Sequence, residues 1–426
     1  MRNVKLSSKI SLKQGRLLWL LGLGCVCTCV FNVESAWATP ELVLQLESSW
    51  QEDSNPLHSN EAQQPISGTS SLGAEMRAGL VLPLLSERTR LIVGVSDAAY
   101  SYHGVDQLSH EQRSWDLALE WAEGDLLNGR FSVSDTQHLF PYSDGSLTQL
   151  DMSHLAVQAA EVNLKITNDL SIPLHIEQNR FYYDLPQNQL YNATGTTSQI
   201  GVLYTSTTGS RVQLGTRVAT QTFGQRTAAE IASLDSGFKD TELFADVDWN
   251  YSALTSVRMR MGIINRHYPL LTTSDSKLVS TLLDTRYNYS PQVRFEFQAW
   301  DQPIPIVDAS VLYVVAKGAR LDTVWQYSDK LRLRGFGLLQ QDTMINIASL
   351  SSQDRVEQLR RTGLSVDYFW MPNLRLFVQA RTEKQVRTPI LPDITQSSLQ
   401  IGLEYTFENT AGAAKNNAME RFNPTF

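Results

Sequence analysis

The chain has 426 residues, of which 42% are hydrophobic, and a formal net charge of −8. Residues 1–38 hold 5 of the 36 basic and 1 of the 44 acidic side chains, so 31 minus 43 leaves −12 for the remainder, which argues against a general nucleic-acid binder. The three cysteines, Cys25, Cys27 and Cys29, all lie in residues 1–38, so the remainder has no thiol for disulfides, catalysis or metal binding.

Residues 1–38 have the organisation of a secretory signal peptide. Cations between Arg2 and Arg16 precede a largely apolar stretch, Leu17 to Val33, and Ala36-Trp37-Ala38 offers a small-x-small cleavage site. We expect cleavage after Ala38. The positions before the cysteines lack the residues of a lipoprotein signal, so a plain signal peptide is predicted.

The rest of the chain alternates apolar and polar residues over segments of about ten residues, as transmembrane barrel strands do. In residues 69–83, Leu72, Met76 and Leu80 alternate with Glu75 and Arg77, and the pattern returns in residues 257–263, 293–299, 374–381 and 399–407. Because successive side chains of a strand point to opposite faces, each segment has one lipid-compatible face and one wet face. A soluble sandwich also alternates, and there the apolar face fills a core.

Turn signals divide the chain into candidate strands whose connections alternate between very short turns, such as 290–292 and 371–373, and longer polar loops, such as 51–68 and 223–238. Outer-membrane barrels place short turns in the periplasm and long loops outside. We therefore predict an all-β fold, a transmembrane antiparallel up-and-down β-barrel over residues 39–407. Eighteen strands are predicted to begin near residues 41, 69, 89, 110, 126, 150, 169, 196, 211, 239, 256, 277, 293, 311, 331, 356, 374 and 397.

Sixteen strands is the alternative, because residues 89–103, 150–166 and 307–327 break the alternation as a bulge, or a mixture of strand and loop, would do. The polar segment 408–426 follows the last predicted strand and is predicted to be a periplasmic tail. A role of its terminal Phe426 in barrel assembly is the other interpretation.

Aromatic residues stand where strands meet the short turns, as in the aromatic girdle at a membrane interface. The alternative is that they plug the end of a soluble barrel. The predicted interface aromatics are Trp121, Tyr204, Trp249, Tyr287, Tyr289, Trp325, Tyr327, Tyr368, Trp370, Tyr405 and Phe407.

The polar face of the second half of the barrel is rich in arginine, and arginine recurs at a spacing of two residues, which places successive guanidinium groups on one side of a strand. Rings of arginine select anions in pores, so these residues are candidate lumen-lining anion-binding groups. The competing interpretation pairs them across strands with acidic residues: Asp246, Asp248, Asp284, Glu296, Asp322, Asp367, Glu383 and Glu404. The candidate arginines are Arg258, Arg260, Arg286, Arg294, Arg320, Arg332, Arg334, Arg375 and Arg381.

No catalytic motif is present in the sequence. The seven histidines lack metal-ligand spacing, and neither a GxSxG motif nor a glycine-rich phosphate loop occurs. His103 and His110 flank Asp106 and could form a catalytic group at the rim, but we interpret these three residues as part of an exposed loop. We predict no enzyme activity, no catalytic residues, no cofactor and no metal.

Several segments resemble the exopolysaccharide-biosynthesis outer-membrane β-barrel proteins of the EpsL type, within the broader group of putative β-barrel porins. Most of these segments are a strand, a tight turn and the next strand. The resemblance implies a role in carrying a secreted polysaccharide across the outer membrane, and it brings no catalytic residues. The segments are WAEGDLLNGRFSV at 121–133, ELFADVDWNYSALTSVRMRMG at 242–262, LDTRYNYSPQVRFEFQAW at 283–300, RLDTVWQYSDKLRLRGFG at 320–337 and SLQIGLEYTF at 398–407.

Three functions are compatible with this barrel in the bacterial outer membrane. The first is an export channel for an acidic exopolysaccharide, which slides over arginines that bind it weakly enough to let go. The second is a general or small-solute diffusion porin. The third is a surface receptor or adhesin that acts through its loops. The expected partners are outer-membrane lipid and lipopolysaccharide and, for export, a polysaccharide and periplasmic proteins that would supply a conduit.

Overall fold

The computed structural model describes residues 40–56, 58, 68–86, 88–139, 150–304, 311–346, 355–387 and 392–409. The predicted signal peptide and nearly all of the predicted tail, residues 410–426, lie outside the described residues.

Eighteen β-strands form one sheet. They are β1 (Glu41–Asp53), β2 (Thr69–Ser86), β3 (Thr89–His103), β4 (His110–Glu123), β5 (Leu127–Leu139), β6 (Met152–Lys165), β7 (Leu170–Tyr183), β8 (Ala193–Thr205), β9 (Arg211–Thr222), β10 (Gly237–Asn250), β11 (Thr255–His267), β12 (Ser276–Asn288), β13 (Val293–Ile304), β14 (Val311–Ser328), β15 (Leu331–Asn346), β16 (Arg355–Met371), β17 (Leu374–Val386) and β18 (Ile394–Glu408).

Each strand pairs antiparallel with the next one in the chain, and β18 pairs antiparallel with β1, so the sheet closes into an up-and-down barrel. The closing register places Val43 opposite Glu408 and Asp53 opposite Ser398. The side-chain amide of Asn409 donates to the carbonyl of Pro40 at 2.7 Å, next to this seam. Closure leaves no unpaired strand edge, which is the condition for a sheet to cross a bilayer.

The predicted fold class and the strand number of eighteen are confirmed, and every strand begins within three residues of its predicted start. Connections of two to five residues alternate with connections of six to fifteen residues around the barrel. We call the end with the shorter connections the turn end and the other the loop end. The described loops contain the short helix α1 (Ala228–Leu234) and three 3₁₀ segments, Asp106–Leu108, Pro186–Tyr191 and Thr272–Ser274. No helix in the described part of the chain is long and apolar enough to cross a membrane.

The alternation of the sequence corresponds to an outward apolar face and an inward polar face. On β2, Leu72 points outward with 61% of its surface exposed, whereas Arg77 points inward and is 8% exposed. On β11, Met259, Met261 and Ile263 are exposed, and Arg260 on the opposite face is half-buried. The outward apolar side chains recur on strand after strand and form a band around the barrel.

The three segments that break the alternation do so for different reasons. In β14 the register shifts between Val311 and Tyr313, as a bulge predicts. The pairing of β3 with β2 also shifts, between Pro83 and Ser86, whereas β6 pairs with both neighbours without an interruption. The apolar and polar residues of β3 do not alternate cleanly, because its inward residue Ile92 is itself apolar and packs with Val81 and Ala118 in a small apolar cluster inside the barrel. In β6 the opposite occurs: the register with β5 places His154 on the outward face.

Candidate functional site

The strand register places all nine candidate arginines on the inward face. Eight of them have a carboxylate oxygen within 4.0 Å: Arg258, Arg260, Arg286, Arg294, Arg320, Arg332, Arg334 and Arg375. The ninth, Arg381, has no carboxylate that close among the described residues, although Arg361 beside it pairs with Glu383 at 2.7 Å. Six of these pairs join neighbouring strands, while Arg294 and Arg320 pair with an acid two residues away on their own strand. The geometry therefore favours pairing with carboxylates over a row of free anion-binding groups, and the anion-binding role of these arginines stays a prediction.

One carboxylate on β16 binds three of the nine candidate arginines. Asp367, whose side chain is fully buried, accepts from Arg332 Nε at 2.9 Å, from Arg334 Nη2 at 3.0 Å and from Arg375 Nη1 at 3.1 Å. Arg375 also donates to Glu404 on the next strand. The spacing of two in Arg332 and Arg334 thus holds two guanidinium groups against one acid, and their charge is largely neutralised there.

The strands β12 to β14 carry two smaller pairings of the same kind. Arg286 and Arg294 share Glu296, with Nε to Oε1 distances of 3.0 and 3.2 Å. Arg320 donates twice to Asp322, at 2.6 and 2.7 Å, and its side chain is only 10% exposed. Arg320 therefore has two of its donors engaged by one acid, whereas Arg286 and Arg294 each reach Glu296 through Nε and keep side chains that are 56% and 44% exposed.

The two arginines of β11 differ in how closely they contact other side chains of the protein. Arg260 lies 3.4 Å from Glu242 and 4.2 Å from the centre of the Phe244 ring, which fixes it against the wall. Arg258 reaches Asp246 only at 3.5 Å, and 65% of its side chain is exposed. Among the eight paired candidates Arg258 has the most exposed side chain, so it offers the most accessible positive charge.

The first half of the barrel contributes luminal charges that the sequence analysis did not single out. Glu120 on β4 is shared by Arg90 at 2.8 Å and Arg130 at 2.7 Å. His175 on β7 stands between Glu161 and Glu177, with N to O distances of 3.5 and 3.6 Å. The signal was present, since Arg130 precedes the outward Phe131 in the same alternation.

Two cavities lie along this wall inside the barrel. The one towards the turn end, which we call the lower recess, has a volume of about 910 Å³ and joins residues from β3 to β11, so it extends across the lumen. The upper recess, towards the loop end, measures about 380 Å³. The two share His175, Gln199 and Arg260 in their linings, which makes them neighbouring parts of one polar path.

The lower recess carries a small positive excess. Five arginines and two glutamates line it. Asp125 and Asp246 lie just outside the lining and pair with Arg88 and Arg258, which leaves an excess of one positive charge when they are counted. In the upper recess Arg217, Arg260 and Arg266 balance Glu177, Asp240 and Glu242.

The upper recess is narrowed by aromatic side chains around Arg266. This arginine donates to both oxygens of Asp240, at 2.8 and 2.7 Å, and its guanidinium lies 4.0 Å from the centre of the Phe238 ring. The Tyr313 ring, 5.1 Å away, comes from β14, three strands further around the barrel. This contact bridges part of the lumen on the loop side.

The loops above this wall are joined by the half-buried Arg226 and by the fully buried Asp235. Arg226 donates to the carbonyls of Leu190, Leu234 and Asp235 at 3.2, 2.8 and 2.7 Å. Asp235, which is fully buried, accepts from the amides of Leu270 and Leu271 at 2.7 and 2.8 Å. The β7–β8, β9–β10 and β11–β12 loops thus hold one another.

The predicted interface aromatics stand at the turn end, on the outward face. Ten of the eleven are at least 37% exposed, and Trp249, Tyr287 and Trp325 each make an edge-to-face contact with the tyrosine two residues further on. Trp121 is only half exposed because it lies across Gly129 of the neighbouring strand. Their placement is compatible with a girdle, and the membrane role itself stays a prediction.

The histidines considered as a rim site do not converge in the described structure. His110 contacts the carbonyl of Leu108 at 2.7 Å and stacks on Tyr100, and no hydrogen bond joins His103, Asp106 and His110. Within the described residues, no group of three or more His, Cys, Asp or Glu side chains could hold a metal ion.

Comparison with known proteins gives similar barrels of low identity. No protein-family model matches the chain, and no curated protein matches its sequence. Acinetobacter baumannii OccAB3 is 10% identical, with a TM-score of 0.48 over 87% of this chain and 99% of that one. Pseudomonas aeruginosa OpdQ is 9% identical, with a TM-score of 0.49 over 87% and 98% of the two chains. Pseudomonas aeruginosa OprD is 10% identical, with a TM-score of 0.48 over 88% of this chain and 97% of that one. At this level of similarity no solute and no functional residue is transferred to this chain, and the expected EpsL-type assignment gains no support.

Proposed function

We propose that this protein is an outer-membrane channel through which small polar solutes diffuse, with a weak preference for anions and without catalytic activity. The observation that carries the proposal is the polar path along the β3–β11 wall, formed by the lower and upper recesses.

The proposed location in the outer membrane rests on the apolar outer surface of the barrel. A closed barrel with exposed apolar side chains on successive strands buries that surface only in a bilayer, because a soluble barrel of this kind would present the whole band to water. Strands such as β11, with Met259, Met261 and Ile263 outward, supply the band. Bacterial barrels of this construction are characteristic of the outer membrane.

A small solute fits the lumen better than a sliding polymer. A polymer needs a row of accessible weak sites, but three candidate arginines converge on Asp367, and Arg320 is occupied by Asp322. The recesses of about 910 and 380 Å³ lie within the range of about 300–1,000 Å³ typical of small-molecule sites. Export of an acidic exopolysaccharide, which the family resemblance implied, therefore takes second place to solute diffusion.

The anion preference is assigned to Arg258. It lines the lower recess, its side chain is 65% exposed, and its nearest carboxylate oxygen is 3.5 Å away. An exposed guanidinium in a narrow lumen raises the local concentration of anions and pairs with them only transiently.

The test is a planar-bilayer measurement on the refolded mature protein. We expect steady single-channel conductance in KCl and, in a tenfold KCl gradient, a reversal potential displaced towards that of chloride. Arg258→Gln should reduce this displacement more than Arg320→Gln, which removes the same charge from a position outside both recesses. An absence of conductance would contradict the proposal, and equal effects of the two substitutions would remove Arg258 from it.

The same recording separates solute diffusion from polymer export. Succinate serves as a small dicarboxylate probe and an oligogalacturonate as an acidic polymer probe. We expect succinate to reduce the current transiently and the oligomer to leave it unchanged. A current blocked by micromolar oligogalacturonate and indifferent to succinate would favour the export channel instead.

A further inference from the structure

A recess on the outside of the barrel, at the loop end of β10 to β12, combines cations with an apolar surface. Its volume is about 500 Å³, and its lining includes Lys239, Thr241, Asn265, His267 and Lys277. Of the residues in its lining, only Arg266 also lines the luminal path described above. We call it the rim recess.

The strand register brings three basic side chains together on the outward face. Lys239 on β10 stands directly opposite His267 on β11, and Lys277 on β12 stands opposite Asn265, two residues before His267. Each of these strands therefore contributes one basic side chain at the same level of the barrel. Adjacent strands are about 4.8 Å apart, so the three groups lie within reach of one ligand.

Below the cations the same outward faces become apolar. Leu243, Ile263 and Val279 follow on β10, β11 and β12, with exposed fractions of 64%, 44% and 56%. Thr241 and Asn265 separate the two zones. A ligand that fits this surface has an anionic head at the level of the lysines and hydrocarbon alongside the apolar side chains.

The two lysines are not neutralised by protein carboxylates. In the described part of the chain no carboxylate oxygen lies within 4.0 Å of the Lys239 or Lys277 ammonium, whereas the outward-facing Lys317 pairs with Asp301 at 3.0 Å and Lys384 with Asp393 at 3.3 Å. Lys239 and Lys277 thus differ from Lys317 and Lys384 in having no carboxylate partner among the described residues.

The one acidic group in the lining is already engaged. Asp275 accepts from the amide of Tyr268 at 2.8 Å and contacts His267 Nδ1 at 2.6 Å. These two hydrogen bonds, that from the Tyr268 amide first, hold the pKa of Asp275 below its ordinary value. Asp275 therefore holds the His267 ring in place and does not neutralise the two lysines.

We propose that the rim recess binds the phosphoryl group of a phosphorylated glycolipid of the outer leaflet, with the acyl chains lying along the apolar band. Ammonium groups bind phosphate as strong point charges, and such an ion pair is stronger at a membrane surface than in bulk water. Basic pockets at the membrane surface recognise anionic lipid headgroups in this way. The proposal rests on the outer-membrane location in the proposed function, but not on the solute that passes through the lumen.

The experiment measures binding of bisphosphorylated lipid A to the folded protein in detergent micelles by native mass spectrometry. Lys239→Gln with Lys277→Gln should weaken binding about thirtyfold, which corresponds to about 1 kcal/mol for each of the two lysines near an anionic surface. The matched control, Lys317→Gln with Lys384→Gln, removes the same charge from paired lysines and should change binding less than about twofold, within the scatter of exposed ion pairs. Each single substitution, Lys239→Gln or Lys277→Gln, should give a smaller loss, so the test does not depend on the double variant alone.

Three results would overturn the proposal: unchanged binding in the rim-recess variant, an equal loss in both double variants, or equal binding of lipid A from which both phosphates have been removed. Displacement of lipid A by inorganic phosphate at the same concentration would overturn the assignment to a lipid. Conductance recorded on the same variants keeps the two proposals apart, because loss of lipid binding with normal conductance leaves the channel proposal intact.

Discussion

Asp367 shows why arginines at alternate positions of a strand do not by themselves form an anion-binding surface. Its carboxylate is fully buried among Arg332, Arg334 and Arg375 at 2.9 to 3.1 Å. A carboxylate accepts several charge-assisted hydrogen bonds at once, so one acid on β16 holds guanidinium groups from both neighbouring strands. The cluster joins β15, β16 and β17 and stabilises the barrel wall.

Removal of this charge should destabilise the barrel. Asp367→Asn leaves Arg332 and Arg334 facing each other without their acid, and a broken buried pair costs on the order of 3 kcal/mol. Urea unfolding of the protein refolded into vesicles, followed by tryptophan fluorescence, measures the loss. Asp329→Asn, in the exposed β14–β15 turn, removes the same charge and should stay within about 0.5 kcal/mol of the wild type. Equal stability of both variants would show that the cluster contributes nothing.

Inward aromatic side chains lie across glycines of the neighbouring strand. Phe377 of β17 covers Gly402 of β18, Phe336 of β15 covers Gly363 of β16, and in each case a Cβ on the glycine would collide with the ring. Such cover shields the backbone where a glycine leaves it bare. Strand-to-strand packing inside the barrel therefore depends on these glycines for space.

Gly402→Ala should destabilise the closing strand pair. The added methyl group meets the ring of Phe377, which is 5% exposed and has little room to move, so overpacking of about 1–3 kcal/mol is expected. Gly337→Ala is the matched control, because no atom lies within 4 Å of its Cβ position. The urea midpoints of the two variants compare them directly, and a loss for Gly337→Ala as large as that for Gly402→Ala would refute the role of the ring.

The buried carboxylate of Asp235 links two loops at the loop end, and this link depends on the charge of the carboxylate. Burial acts to raise the pKa of Asp235, but the hydrogen bonds from the Leu271 and Leu270 amides outweigh burial and hold the pKa below its ordinary value. A depressed carboxylate pKa means that its stabilisation is present above the unfolded-state value of about 3.9 and is lost as the pH falls through the folded-state value. The link between the β9–β10 and β11–β12 loops should therefore open in acid.

Hydrogen exchange at the Leu270 and Leu271 amides tests this sign. In the wild type both amides should be protected at pH 7 and lose protection, after correction for the intrinsic rate, below about pH 4. Asp235→Asn should show weakened protection already at pH 7, with no further step in acid. Protection in the wild type that persists to pH 2 would contradict the role of the carboxylate charge.

Periodicity was sufficient for the strands but not for the pairings within the lumen. The period of two fixes which side chains share a face, and it placed all nine arginines inward. Which acid each arginine meets depends on register, and the contact of Arg375 with Asp367 follows a register shift between Phe369 and Met371 that no pattern announces. The contact between Arg266 and Tyr313 joins β11 and β14, which do not pair with each other, and local sequence does not encode such a contact.

The assignment of a lipid face and a water face to every strand is testable at one level of the barrel. Met261 points outward on β11 and is 46% exposed, while the neighbouring pair, Gly262 and Ser280, points inward. An arginine on the lipid face of a barrel costs about 2–4 kcal/mol near the bilayer midplane, whereas lumen positions tolerate charge. Met261→Arg should therefore lower the stability measured by urea unfolding in vesicles by that amount, and Ser280→Arg should change it by less than about 1 kcal/mol. Because Ser280 lines the upper recess, Ser280→Arg should also reduce single-channel conductance. Equal destabilisation by both substitutions would mean that the inward face is packed and dry, and a dry lumen would rule out solute diffusion.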